Sequence, residues 1–193
     1  MKVAAGAAVL LMACQPVGRV PEGADESLPS SGTPARWAEL KGMTYRLPGY
    51  PSANVVKLRE GRWEGAPQGA SGDRESVWLL EHPLLEGDLD NDGQAEAVIV
   101  LRQDSGGLGT GVFNYVAVVK RTSLGLDNVA TASIGDRVEV RSGRILDGRI
   151  LLYGLQARES VGLCCPTQAA EWAWVLEGRE LKVLPPTQTT PTR

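Results

Sequence analysis

Between Trp37 and Leu184 the apolar positions come in short runs separated by turn residues, the spacing of strands rather than helices. Residues 97–101 (AVIVL) and 116–119 (VAVV) are continuously apolar and predict central strands covered on both faces. Elsewhere the pattern alternates: Val138 and Val140 point one way, Glu139 and Arg141 the other. Asp147-Gly148 lies between two apolar runs in residues 145–151 and predicts a type I′ hairpin, whose positive φ values glycine tolerates. Residues 59–62 (REGR) and 177–180 (EGRE) predict two further hairpin tips. The first joins residues 55–58 to the segment around Trp63, and the second joins 172–176 to 181–184. With 45–47 and 77–80 added, the pattern predicts about nine or ten strands. One short helix is expected over Pro34–Lys41, with Thr33 as its cap, Pro34 at the first helical position and Gly42 as its stop. The expected fold class is all-β and mainly antiparallel, a sandwich or partly open barrel with at most one or two short helices.

The flanks read differently. Lys2 is followed by an uncharged run over residues 3–12, which at about 10 residues is too short to cross a bilayer that needs ~20. Leu11-Met12-Ala13-Cys14 then resembles the lipobox of bacterial lipoproteins. That resemblance implies cleavage before Cys14 and acylation of that cysteine, and more than one acyl chain gives stable membrane residence. Gln15 stands where an inner-membrane retention signal often places Asp, so the resemblance implies the outer membrane, facing the periplasm. The alternative is an ordinary secretory signal with an incidental cysteine. The expected organisation is a signal peptide over 1–13, a flexible Gly/Pro/Ser-rich tether over 14–36, one β-rich domain over 37–184, and a disordered Pro/Thr-rich tail over 185–193.

Composition narrows the partners. Hydrophobic residues make up 42% of the 193, enough for a core. The formal charge of −3 excludes a general affinity for nucleic acid through charge alone. The single histidine, His82, excludes a multi-histidine metal site.

The strongest chemical signal is Gly87-Asp88-Leu89-Asp90-Asn91-Asp92-Gly93-Gln94-Ala95-Glu96. Counting Asp88 as the first position, carboxylates fall at the first, third, fifth and ninth, with glycine at the sixth. Calcium takes oxygen ligands from such alternating positions around a sharp bend, and the main-chain carbonyl of Gln94 is the expected seventh-position ligand. Ile99 occupies the twelfth position, where an EF-hand requires an acid. The loop resembles instead the shorter calcium loops between strands of integrin-type propeller repeats, where the last ligand comes at the ninth position, as Glu96 does. The expected metal set is therefore Asp88, Asp90, Asp92, Gln94 and Glu96, holding one structural calcium. The competing reading is a solvated acidic turn.

Other motifs carry less. Cys164 and Cys165 are adjacent, and three readings stay open: a vicinal disulfide, two buried thiols, or a redox or soft-metal site. The disulfide is strained, because neighbouring Cα atoms are ~3.8 Å apart. The glycine-rich residues 105–111 lead into a strand and lack a following Gly-Lys-Ser/Thr, so a hairpin or bulge is expected rather than a phosphate cradle. Trp172 and Trp174 share one face of a strand; such residues belong in a core more often than on a sugar-stacking platform. No Gly-x-Ser-x-Gly or Ser-x-x-Lys motif occurs.

Residues 87–101, 105–113, 115–119, 134–140, 147–150 and Cys-Cys-Pro-Thr-Gln at 164–168, taken as an ordered set, resemble a group of uncharacterised bacterial secreted proteins and lipoproteins. Leu108 and Gly111 in the glycine-rich loop, and residues 158–163 before the cysteines, depart from that pattern. The resemblance implies a β-rich periplasmic domain and no particular activity. The leading expectation is a lipid-anchored, non-enzymatic binding or structural module of the cell envelope, whose partner is an envelope protein or glycan. The alternatives are an envelope glycan hydrolase using paired carboxylates and a lysozyme-inhibitor-like lipoprotein.

Overall fold

The computed structural model describes residues 34–49, 54–106, 111–157 and 166–185. Cys14, Cys164 and Cys165 lie outside the described residues, as do the expected signal and tether up to Thr33 and residues 107–110 of the glycine-rich loop.

The chain enters through helix α1 (Pro34–Lys41), at the expected residues. Gly42 N–H and Met43 N–H donate to the carbonyls of Glu39 and Leu40, closing the last turn. Leu40 is buried, and the chain continues into strand β1 (Thr44–Arg46), which pairs antiparallel with β2 (Val55–Lys57).

The remaining strands form two antiparallel sheets. The larger has the order β3 (Arg62–Glu64), β4 (Ser76–Leu79), β6 (Glu96–Asp104), β7 (Val112–Thr122), β8 (Gly125–Asp136). Strand β5 (Leu85–Gly87) pairs with residues 96–98 of β6, along the edge that β4 leaves free after pairing with 101–104. The smaller sheet has the order β12 (Glu180–Val183), β11 (Gln168–Glu177), β10 (Arg149–Gln156), β9 (Glu139–Leu146).

The two continuously apolar runs lie side by side at the centre of the larger sheet, Ala97 opposite Val119 and Val100 opposite Val116. Alternate residues serve different cores. Ala97, Ile99, Leu101, Tyr115, Ala117 and Val119 pack with Leu40, Tyr45, Val56 and Leu58 from α1, β1 and β2. Val98, Val100, Val116 and Val118 pack with Ile150, Leu152, Trp174 and Leu176 of the smaller sheet. The molecule is thus an all-β sandwich of two sheets, and α1 with the β1–β2 pair covers the outer face of the larger one. Burial on both faces is why β6 and β7 carry no polar alternation in their middles.

Turn chemistry follows the sequence. Asp147 and Gly148 have φ of 51° and 69°, the doubly positive pattern of a type I′ turn between Leu146 and Arg149. At 177–180 only Gly178 is positive, which suits a type II′ turn. The turn at Glu60-Gly61 also forms, bridged by Arg59 and Arg62, but no ladder extends from it. Leu58 N–H is taken by Met43 and Gly61 N–H by Lys41, so β2 stays with the covering layer while β3 joins the large sheet through β4.

Trp174 is buried, and Trp172 packs beside it against the inner core. Trp37 and Trp63 pack against the outer one. Trp78 is half-buried beneath the Arg62 guanidinium, 5.2 Å from its ring centre.

Candidate metal centre

The acidic segment is the loop of a hairpin. Gly87 pairs with Glu96, so residues 88–95 leave and re-enter the sheet at one point. Two positive φ values, 58° at Asn91 and 85° at Gly93, fold the segment back on itself. Leu89 is buried in the inner core and fixes the loop to the domain.

Within the loop the carboxylates first organise the backbone. Asp88 accepts the Asp92 N–H on Oδ1 at 3.2 Å and the Gly93 N–H on Oδ2 at 2.9 Å. Asp92 Oδ1 accepts the Gln94 N–H at 2.9 Å. Glu96 Oε2 accepts the Leu89 N–H at 2.8 Å. These bonds hold the turn tight.

Ligand oxygens of Asp88, Asp90 and Glu96 lie within 4.8 Å of one another, so these three can hold a metal ion together. Asp92 stands outside that trio but shares its cation, as described below. Gln94 is exposed, and its N–H is engaged within the loop. Of the four predicted carboxylate ligands the fold gathers three, with Asp92 at the rim.

The residue that motif reading misses is Lys120, from β7. Its Nζ lies 2.5 Å from Asp90 Oδ2, 2.6 Å from Asp92 Oδ2 and 3.4 Å from Glu96 Oε1. The signal for it was the hairpin register: with Ala97 opposite Val119, the next step outward sets Glu96 opposite Lys120. Hydrogen bonds to Asp90 and Asp92 raise the lysine's pKa, and its own hydrogen bond to Asp92, followed by the Gln94 N–H, lowers that carboxylate's.

Charge and hydrogen bonding remain incomplete. The loop carries four carboxylates, three of them in contact with one ammonium, so negative charge outnumbers positive in a small volume. Glu96 is 0% exposed, and its Oε1 receives no hydrogen bond. The Lys120 ammonium, 3.4 Å away, offsets that buried oxygen by charge but not by a hydrogen bond.

A second group of charges surrounds the shallow grooves between β1 and β8. Arg46 and Arg179 both engage Asp127, and Arg46 also donates to the Asn128 carbonyl at 3.0 Å. Glu39 is held by Arg121 at 2.9 Å. His82 is exposed in the turn before β5. No protein family, curated protein or solved structure matches the chain.

Proposed function

We propose that the chain is a lipid-anchored protein of the bacterial cell envelope, a non-enzymatic binding or structural module whose 88–96 loop holds one calcium ion. The observation that carries the metal half is the buried Glu96 carboxylate: it offers a ligand oxygen beside those of Asp88 and Asp90, and its Oε1 has no hydrogen-bond donor, only the Lys120 ammonium at 3.4 Å. Hard oxygen ligands around a turn suit calcium, whose six to eight sites the exposed side of the loop leaves room to complete with water. Magnesium favours a stricter octahedron and dehydrates reluctantly. The ion's role is structural: it neutralises the surplus charge and fixes the β5–β6 connection against the inner core.

The anchoring half rests on Leu11-Met12-Ala13-Cys14 and the short apolar run before it. Its partner is the membrane, through acyl chains on Cys14.

Equilibrium dialysis and membrane fractionation test the two halves separately. The reading predicts about one calcium per chain, lost in Asp88→Ala. It also predicts labelled palmitate on the wild type and none on Cys14→Ser. A metal-free chain at millimolar calcium contradicts the first half. An unlabelled chain in the soluble fraction contradicts the second.

A further inference from the structure

Lys120 reaches into the carboxylate cluster of the 88–96 loop. Its ammonium contacts Asp90 and Glu96, two of the three carboxylates whose oxygens converge, and Asp92 at the rim. A calcium ion needs those oxygens at about 2.3–2.6 Å. An ammonium held against two of those carboxylates obstructs that approach and repels the ion as well.

We propose that Lys120 is a tethered competitor for the metal: its ammonium holds the carboxylate cluster in the metal-free chain, and calcium enters by displacing it. The proposal rests on the calcium reading above and adds how that site is controlled.

The geometry permits the exchange. The Lys120 side chain is 19% exposed and stands near the end of β7, followed by the exposed Arg121 and Thr122. A flexible four-carbon stem at that position can carry the ammonium into solvent without moving the strand. Glu96 and Leu89 are buried and stay fixed. The exchange therefore changes one side chain while the hairpin keeps its shape.

The consequence is a weakened, thresholded site. An ammonium resident nine-tenths of the time weakens the apparent metal affinity about tenfold, because only the vacated fraction binds. In return the loop is folded before metal arrives, with its acids partly neutralised. Such a loop stays metal-free at low calcium and fills at the higher concentrations typical of extracellular modules, roughly 10⁻⁴–10⁻³ M.

Calorimetric titration of calcium into the full chain, Lys120→Met, Lys120→Arg and Arg121→Met tests this. Arg121 pairs with Glu39, outside the loop, so its loss removes one charge without vacating the site. The expected result is roughly tenfold tighter binding in Lys120→Met and little change in the other two variants. Acylation of lysine amines, read by peptide mass, needs no variant and covers the case in which Lys120→Met fails to fold. Calcium is expected to speed modification of Lys120 severalfold while leaving Lys182 unchanged. If wild type and Lys120→Met bind calcium equally, or if calcium leaves Lys120 acylation unchanged in a chain that binds it, competition is overturned and the calcium reading stands. Equal tightening in Arg121→Met overturns it too, since overall charge then accounts for the effect. Absence of binding in every variant overturns both readings.

Discussion

Glu96 and Lys120 face each other across β6 and β7, Nζ 3.4 Å from Oε1, one step beyond the Ala97–Val119 pair. The glutamate is buried and the lysine partly exposed, so the pair sits at the rim of the inner core rather than within it. That position lets one carboxylate serve two purposes. Oε2 fastens the loop by accepting the Leu89 N–H, while Oε1 faces the Lys120 ammonium.

Removing this carboxylate should therefore loosen the loop even without metal. Glu96→Ala leaves the buried Leu89 N–H without its acceptor and is expected to cost about 1–3 kcal/mol. Urea unfolding in chelator checks it. A midpoint equal to wild type would show that the Leu89 bond contributes nothing.

The ion pairs around Lys120 set a pH window for the metal-free chain. Asp92 has a lowered pKa in the folded state, so its contribution is present above the unfolded value, ~3.9, and is lost as pH falls through the folded one. Lys120 has a raised pKa, so its contribution is complete below ~10.4 and is lost as pH rises through the folded value. The stability difference between wild type and Lys120→Met should thus be flat from about pH 5 to 9 and shrink towards pH 3. Thermal melts in chelator across that range measure it. A difference that grows on acidification would contradict the pairing.

Most of the fold was legible because the inner strands are extreme. Residues 97–101 and 116–119 had to be covered twice, and the structure covers them with a sheet on one side and α1, β1 and β2 on the other. Asp147-Gly148 and the helix over Pro34–Lys41 follow from local chemistry that tertiary contacts do not override. The departure at 59–62 has the opposite cause. Its turn is local, but the fate of β2 was decided by bonds from Leu58 to Met43 and from Gly61 to Lys41, which no local pattern encodes.

The site was legible to the extent that its ligands are neighbours in sequence. Asp88, Asp90 and Glu96 come together as their spacing implied, whereas Asp92 turns to the lysine. Lys120 was hidden because it lies 24 residues beyond Glu96, joined to it by strand register alone.

One glycine carries a constraint that burial does not reveal. At Tyr153–Gly154 the β9–β10 register shifts, and a Cβ on Gly154 would lie 1.9 Å from the Glu139 carbonyl oxygen. Backbone, not a movable side chain, fills that space. Gly154→Ala is expected to cost about 1–3 kcal/mol, the range for overpacking, or to abolish the bulge. Gly178→Ala meets no atom within 4 Å and pays only for its positive φ, so its cost should be smaller. Equal denaturation midpoints for the two variants would refute the clash.

Whether the 88–96 loop holds calcium is read by a thermal melt of the chain in millimolar calcium and again after chelation. A ligand bound only by the folded state raises the melting temperature with its concentration over its dissociation constant. The expected result is a calcium-dependent rise that Asp90→Ala abolishes and that magnesium at the same concentration does not reproduce. Superimposable melts in calcium and chelator would contradict it and leave Lys120 as the loop's sole cation.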